Sequence, residues 1–280
     1  MILPAFCLAW QDTTNTISDT TKPKGPWKHA VVAGFTMTQV AFQDWSQGGE
    51  NALSYAITVN GKTQRDGAVT NWTNSYKMTF GQTRLGGQGL RKTDDKIDLE
   101  SVLTYKIKSA VSPYASATLK TQFATGFTFD EDTGARTAVS GFFDPAYLTQ
   151  VAGFEYKPSA RFRTRLGAGL REVVTSLYTS YADDPNTATI EKVMVDGGFE
   201  SVTNIDLELD DNLVLTSKVE LFAAFKALDE IIVRSDNTIA AKVSKYISVI
   251  LNVQLVNDRK VTPRTQVKET LSLGLSYTLI

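Results

Sequence analysis

One cysteine and one histidine in 280 residues leave little material for several kinds of chemistry. A single Cys7 excludes a disulfide scaffold and a thiolate metal cage, and cleavage after Ala9 would remove it from the mature chain. A single His29 excludes a cluster of histidine ligands and leaves any hydrolytic mechanism with one base. Neither sign of charge dominates. There are 29 Lys and Arg against 30 Asp and Glu, for a net −1, which argues against a nucleic-acid partner. No stretch reaches the ~18 to 20 uncharged apolar residues of a membrane helix, so a helical membrane protein is excluded as well. Hydrophobic residues are 42% and charged residues 21%, too apolar and too little charged for a disordered chain. Two classes remain: a soluble all-β protein, or a transmembrane β-barrel whose strands are half apolar because one face meets lipid and the other water.

The chain begins with a short apolar segment, Met1 to Ala9, followed by polar Gln11-Asp12-Thr13-Thr14. This resembles the tail of a secretory signal peptide, so residues 1–9 are expected to be a leader remnant. Residues 10–26, rich in Thr, Asp, Lys and Pro, read as a flexible periplasmic lead-in, and residues 27–280 as the barrel.

From Trp27 onward the dominant pattern has period two. The last run shows it plainly, with Val267, Leu271, Leu273, Leu275, Tyr277 and Leu279 on one face, Lys268, Thr270, Ser272 and Ser276 on the other, and Glu269 as the one break. Twelve such runs follow one another: His29 to Gln43, Ala52 to Lys62, Asn71 to Gly81, Lys96 to Lys108, Tyr114 to Thr125, Tyr147 to Lys157, Arg161 to Val174, Phe199 to Leu209, Leu213 to Phe225, Thr238 to Ser244, Ile247 to Val256 and Gln266 to Ile280. An even count suits a closed barrel of antiparallel strands. Connection lengths carry separate information. Those after odd-numbered runs are long (44–51, 82–95, 126–146, 175–198, 226–237, 257–265), whereas the intervening ones are shorter. Long extracellular loops, short periplasmic turns and two periplasmic termini produce that asymmetry, and a soluble sandwich has no reason to. Trp72, Tyr105, Tyr156, Phe162, Tyr246 and Tyr277 fall beside the short turns, and Phe80, Phe123, Phe127, Phe199 and Phe225 near the opposite rim, as two aromatic girdles require. The predicted fold is therefore an all-β, transmembrane, up-and-down antiparallel β-barrel of about 12 strands.

Several motifs carry a likeness: Phe42-Gln43-Asp44-Trp45-Ser46-Gln47-Gly48-Gly49-Glu50-Asn51, Asn71-Trp72-Thr73-Asn74, Arg91-Lys92-Thr93-Asp94-Asp95-Lys96, Thr121-Gln122-Phe123 and Asp144-Pro145-Ala146-Tyr147-Leu148. In this order and spacing they resemble an uncharacterised outer-membrane β-barrel family of Bacteroidetes and Chlorobi-type bacteria, a domain of unknown function. The resemblance implies fold and location and brings no substrate. The chain departs from many such barrels by ending on Ile280 rather than on an aromatic residue.

Placing the apolar faces against lipid turns the charged positions inward, with more basic than acidic residues among them. The seventh run concentrates Arg161, Arg163, Arg165 and Arg171 on one face, and the eighth brings Glu200, Asp206 and Glu208. Antiparallel pairing is expected to set Arg163 near Glu208 and Arg171 near Glu200. Two functions follow: an arginine ladder guiding small anionic solutes through a passive pore, or a lumen filled by its own ion pairs in a structural barrel that partners an envelope complex. Expected partners are outer-membrane lipids or lipopolysaccharide, the barrel-assembly machinery and other envelope proteins.

No catalytic constellation emerges. His29 lies at the periplasmic start of the first strand, away from the outer rim where hydrolysis on a barrel would take place, so neither an enzyme nor a cofactor is expected. Gly86-Gly87-Gln88-Gly89 lacks the strand-to-helix setting of a phosphate loop. Asp130, Asp132 and Gly134 open like a calcium loop, but Gly141 stands where the bidentate Glu belongs, so no metal is expected. Contact candidates in the loops are Arg91, Lys92, Asp94 and Asp95, read either as a ligand site or as a salt-bridged loop base, and Phe142 and Phe143, read as a lid, a docking point or part of the outer girdle.

Overall fold

Segments such as Ile247–Asn257 (ISVILNVQLVN) alternate apolar and polar side chains and are rich in β-branched residues, so they are stable only as strands with two unlike faces. The computed structural model describes residues 27–42, 49–107, 109–130, 133–244, 247–259, 262–275 and 277–278, and there these segments form one antiparallel sheet. Its strands are β1 (Lys28–Val40), β2 (Ala52–Asp66), β3 (Thr70–Leu85), β4 (Arg91–Tyr105), β5 (Val111–Thr121), β8 (Ala146–Tyr156), β9 (Phe162–Val174), β10 (Val193–Asp210), β11 (Leu213–Ala224), β12 (Ala227–Lys242), β13 (Ile247–Asn257) and β14 (Gln266–Leu275). Each pairs with its neighbour in sequence order, and the short β15 (Tyr277–Thr278), continuing β14, pairs with β1 through Val32↔Thr278 and Ala33↔Tyr277. The sheet thus returns on itself as a barrel of 12 strands, as the alternating runs predict. The leader and lead-in expected over residues 1–26 lie outside the described residues, as do most of the Phe42 to Asn51 motif, Asp132, Tyr246 and Ile280.

Local chemistry fixes the turns. Ser109, Ser159 and Ser244 each accept a backbone N–H from two or three residues ahead, at 3.2 Å in every case, and so cap the entry to the following strand. Gly67 N–H donates to Thr70 O at 2.8 Å. Pro113 lies inside β5 opposite Phe154, but the ladder with β4 begins only at Thr104↔Tyr114, so its missing N–H costs no bond on that side.

The structure changes three expectations. The connections expected over 82–95 and 226–237 are mostly strand: β3 and β4 run out to Leu85 and Arg91, and β11 and β12 are joined by Phe225 and Lys226 alone. β10 starts at Val193 rather than Phe199. The loop over 126–146 contains a small hairpin, β6 (Gly126–Phe129) with β7 (Arg136–Ser140), outside the barrel sheet. The remaining long connections, 41–51, 122–145, 175–192 and 258–265, all emerge at one end of the barrel, called here the loop end, and the other end carries short turns.

Candidate functional site

Strict alternation decides which side chains enter the barrel. On β9 Arg165, Gly167, Arg171 and Val173 are buried, whereas Leu166 and Leu170 between them are 61% and 48% exposed. The register carries this parity around the wall. Lys77 pairs with Asp98, Asp98 with Lys120, Arg165 with Val202, Val202 with Glu220, and Asp236 with Gln254. The interior also holds apolar groups: Val102, Tyr114 and Val151 form one cluster, and Phe222, Ala224 and Ile232 another.

The interior holds one large cavity and one small one. A cavity of about 630 Å³ runs from Lys62, Thr73, Arg163 and Asp206 near the turn end to Gln122, Tyr147, Arg234 and Val256 near the loop end, where Ser140, Pro145 and Tyr181 also line it. A second cavity of about 40 Å³ lies among Thr149, Arg171, Glu200 and Val202. Ion pairs cross the space between walls. Arg165 on β9 and Lys218 on β11 (3.2 Å) both hold Glu100 on β4. Glu220 on β11 takes Lys120 of β5, and Lys77 of β3 reaches Asp236 of β12 at 3.1 Å. Charge-assisted bonds of this kind, formed away from bulk water, tie opposite walls together and narrow the passage.

The predicted arginine ladder is only partly in place. Arg163 and Asp206 line the large cavity and Arg171 and Glu200 the small one. Arg165 is 2% exposed and bound to Glu100. Arg161 is exposed at the turn end, and Glu208 is exposed beside a bulge. The expected pairs do not form: Arg163 stands opposite Asn204 rather than Glu208, and Arg171 opposite Asp196 rather than Glu200. The reason is the earlier start of β10, whose ladder opens at Val193↔Val174 and slides the acids toward the turn end. Arg171 instead binds Asp258 at 3.2 Å, with the Tyr147 ring 5.6 Å from its guanidinium and 5.3 Å from that of Arg234. Sequence reasoning missed Asp196, Arg234, Asp236 and Asp258, because interior charges in the end turns of strands have the composition of loops.

The loop candidates are engaged within the chain. Asp95 accepts from Phe123 N–H (2.7 Å), Ala124 N–H (2.8 Å) and Lys92 Nζ (2.9 Å). Asp94 pairs with Lys268 at 2.8 Å, and the Arg91 guanidinium lies 4.0 Å from the Phe129 ring, holding the β6–β7 hairpin. Of their two readings, the structural one describes these contacts. Phe142 is 70% exposed, Phe143 is 45% exposed, and neither lines a cavity, so they do not fold in as a lid. Asp144 accepts from Leu177 N–H at 2.7 Å and so joins the two long loops. His29 Nδ1 is 3.1 Å from Thr63 Oγ1 near the turn end. Among the described residues no group of three or more His, Cys, Asp and Glu is placed to hold a metal ion.

Residues 37–127 match the family described as "Protein of unknown function (DUF3078)". The motif resemblance is thus to a family without an assigned function, and the DUF3078 stretch supplies Lys77, Lys96, Asp98, Glu100 and Lys120 of the cavity wall. No curated protein matches the chain. Among solved structures the chain is similar to an outer membrane channel from Pseudomonas putida F1, with 11% identity, a TM-score of 0.39, and 94% of this chain and 99% of that one covered. It is also similar to the translocator domain of the autotransporter NalP from Neisseria meningitidis, with 12% identity, a TM-score of 0.36, and 90% of this chain and 86% of that one covered.

Proposed function

We propose that this chain is an outer-membrane β-barrel acting as a narrow passive pore for small hydrophilic solutes, with its long loops outside the cell and both termini in the periplasm. The observation that carries the reading is the cavity of about 630 Å³, lined mostly by polar and charged residue types from both ends of the barrel. Arg165 Nε and Nη1 and Arg171 Nη1 are buried without a protein hydrogen-bond partner, as in an interior that holds water. The outward face supports the membrane placement. Leu166, Leu170, Ile57, Leu103 and Phe154 are exposed along it, Trp72, Tyr105 and Tyr156 stand near the turn end, and Phe123, Phe199 and Phe225 near the loop end. Lipopolysaccharide and membrane lipids are the surroundings this face suits, and insertion by the barrel-assembly machinery goes with them.

The ion pairs that cross the interior favour a second reading, a structural barrel with a closed lumen that serves as partner to other envelope proteins. Planar-bilayer recording of the refolded protein separates the two. Discrete, reproducible conductance steps are expected for the pore; a silent bilayer with folded protein inserted leaves the structural reading.

A further inference from the structure

We propose that five charges, Arg165, Glu100, Lys218, Glu220 and Lys120, form the constriction that sets both the width and the ion preference of the barrel. The inference rests on the pore reading above. Each carboxylate has both oxygens occupied by cations. Arg165 binds one oxygen of Glu100, and Lys218 Nζ lies 3.2 Å from the other. Lys218 also reaches Glu220 Oε1 at 2.8 Å, while Lys120 takes Glu220 Oε2. The chain of contacts therefore passes from β9 to β4, over to β11 and on to β5. In the sheet β4 and β11 are separated by β5, β8, β9 and β10, so the Glu100–Lys218 contact spans the interior and not the wall.

The position of this strap decides its role. Glu100, Lys120 and Glu220 line both cavities, together with Tyr147 and Arg234, so the strap lies between the small space and the large one. Lys218 lies in the middle of β11 and lines the large space. Moving or releasing these side chains joins the two spaces. Three cations share two carboxylates here, a surplus of one positive charge within the strap, with Asp98 and Glu200 lining the cavities beside it. Rings of Lys and Arg at such points favour anions. Because Lys218 is shared, removing Glu220 frees Lys120 and leaves Lys218 held by Glu100 alone.

The test uses refolded full-length protein whose heat-modifiable gel mobility shows a folded barrel, recorded in planar bilayers under a KCl gradient. Glu220→Gln keeps side-chain size and removes the negative charge that Lys218 and Lys120 share. Its single-channel conductance is expected to rise about two-fold or more, with the reversal potential moving toward that of chloride. The double variant Glu220→Gln with Lys120→Met removes an acid and a base together and leaves no freed lysine at that position. It is expected to conduct more than the wild type at an unchanged reversal potential, and it keeps the test open if the single variant folds poorly. Glu269→Gln, on the outer wall, is expected to change neither quantity. A silent wild type with conducting variants supports a strap that shuts the passage. Folded variants with wild-type conductance and selectivity overturn the strap while the pore stands. Silence in all of them removes the pore, and the strap with it.

Discussion

Asp95 shows how much one buried carboxylate can organise. It is among the least exposed acidic side chains, 2% in its ion pair with Lys92, and its oxygens hold two backbone N–H groups at the start of the longest loop. Asp95→Asn keeps the shape, replaces one acceptor with a donor and removes the counter-charge of Lys92, which keeps Gln122 Oε1 and Ala124 O as acceptors. A cost of about 1–3 kcal/mol is expected, read as a lower urea midpoint and as faster protease cleavage within 122–145. The Arg91 to Lys96 motif was legible as unusual, but a sequence shows no acceptor geometry, so a ligand site and a loop base looked alike. Gly61 is a second case. A Cβ there would lie 1.8 Å from the Tyr76 ring, which covers the glycine across the β2–β3 pair. Gly61→Ala is expected to displace the ring and destabilise the barrel by about 1–3 kcal/mol, with Tyr76→Ala in the same chain recovering part of the loss. A double-mutant cycle in urea-dependent folding measures it, and additive effects would count against the contact.

At the scale of elements, alternation located all 12 strands of the sheet but not their ends. The reason lies in β12: Arg234 and Asp236 line the large cavity, so the strand's loop-end half carries the same polar residues as a true loop. A long barrel strand hides best where its inner face is charged. The loop 175–192 differs, since its order comes from side chains. The Glu191 carboxylate accepts from Thr187 Oγ1 at 2.6 Å and Asp184 N–H at 3.1 Å, and these bonds, the Thr187 hydroxyl foremost, hold its pKa down to about 2 from an ordinary 4.5. A depressed carboxylate pKa contributes order that is full above the ordinary value and is lost as pH falls toward the lowered one. The protection of the Asp184 and Thr187 amides, taken relative to the intrinsic exchange rate at each pH, is therefore expected to hold above about pH 4.5 and to fall between there and about pH 2. In Glu191→Gln that pH step should vanish; a step that persists would assign the transition to another group.

At the scale of the whole molecule, the net −1 is a sum over unlike surfaces. The order of the strands was readable because connection length and aromatic placement are independent of alternation, yet the inner charge balance was not. Reading β10 and β12 too short omitted Asp196 and Asp236 and exaggerated the basic excess. The large cavity is lined by Lys62, Lys77, Lys96, Lys120, Lys218, Arg163 and Arg234 against Asp95, Asp98, Asp206, Asp236, Glu100 and Glu220, seven bases to six acids. Most of these are paired, so the field along the passage is close to balanced, and a strong ion preference has no source outside the central strap. A shallow anion lean is the expected outcome. With a ten-fold KCl gradient (about 58 mV for a perfectly selective pore at 20 °C) the reversal potential should lie nearer zero than the chloride limit, on the chloride side. Raising the salt concentration should weaken that lean as the Debye length shrinks from about 10 Å at 0.1 M to about 3 Å at 1 M. A reversal potential on the potassium side would mean that the carboxylates, not Lys77, Lys96 and Lys218, govern the path the ions take.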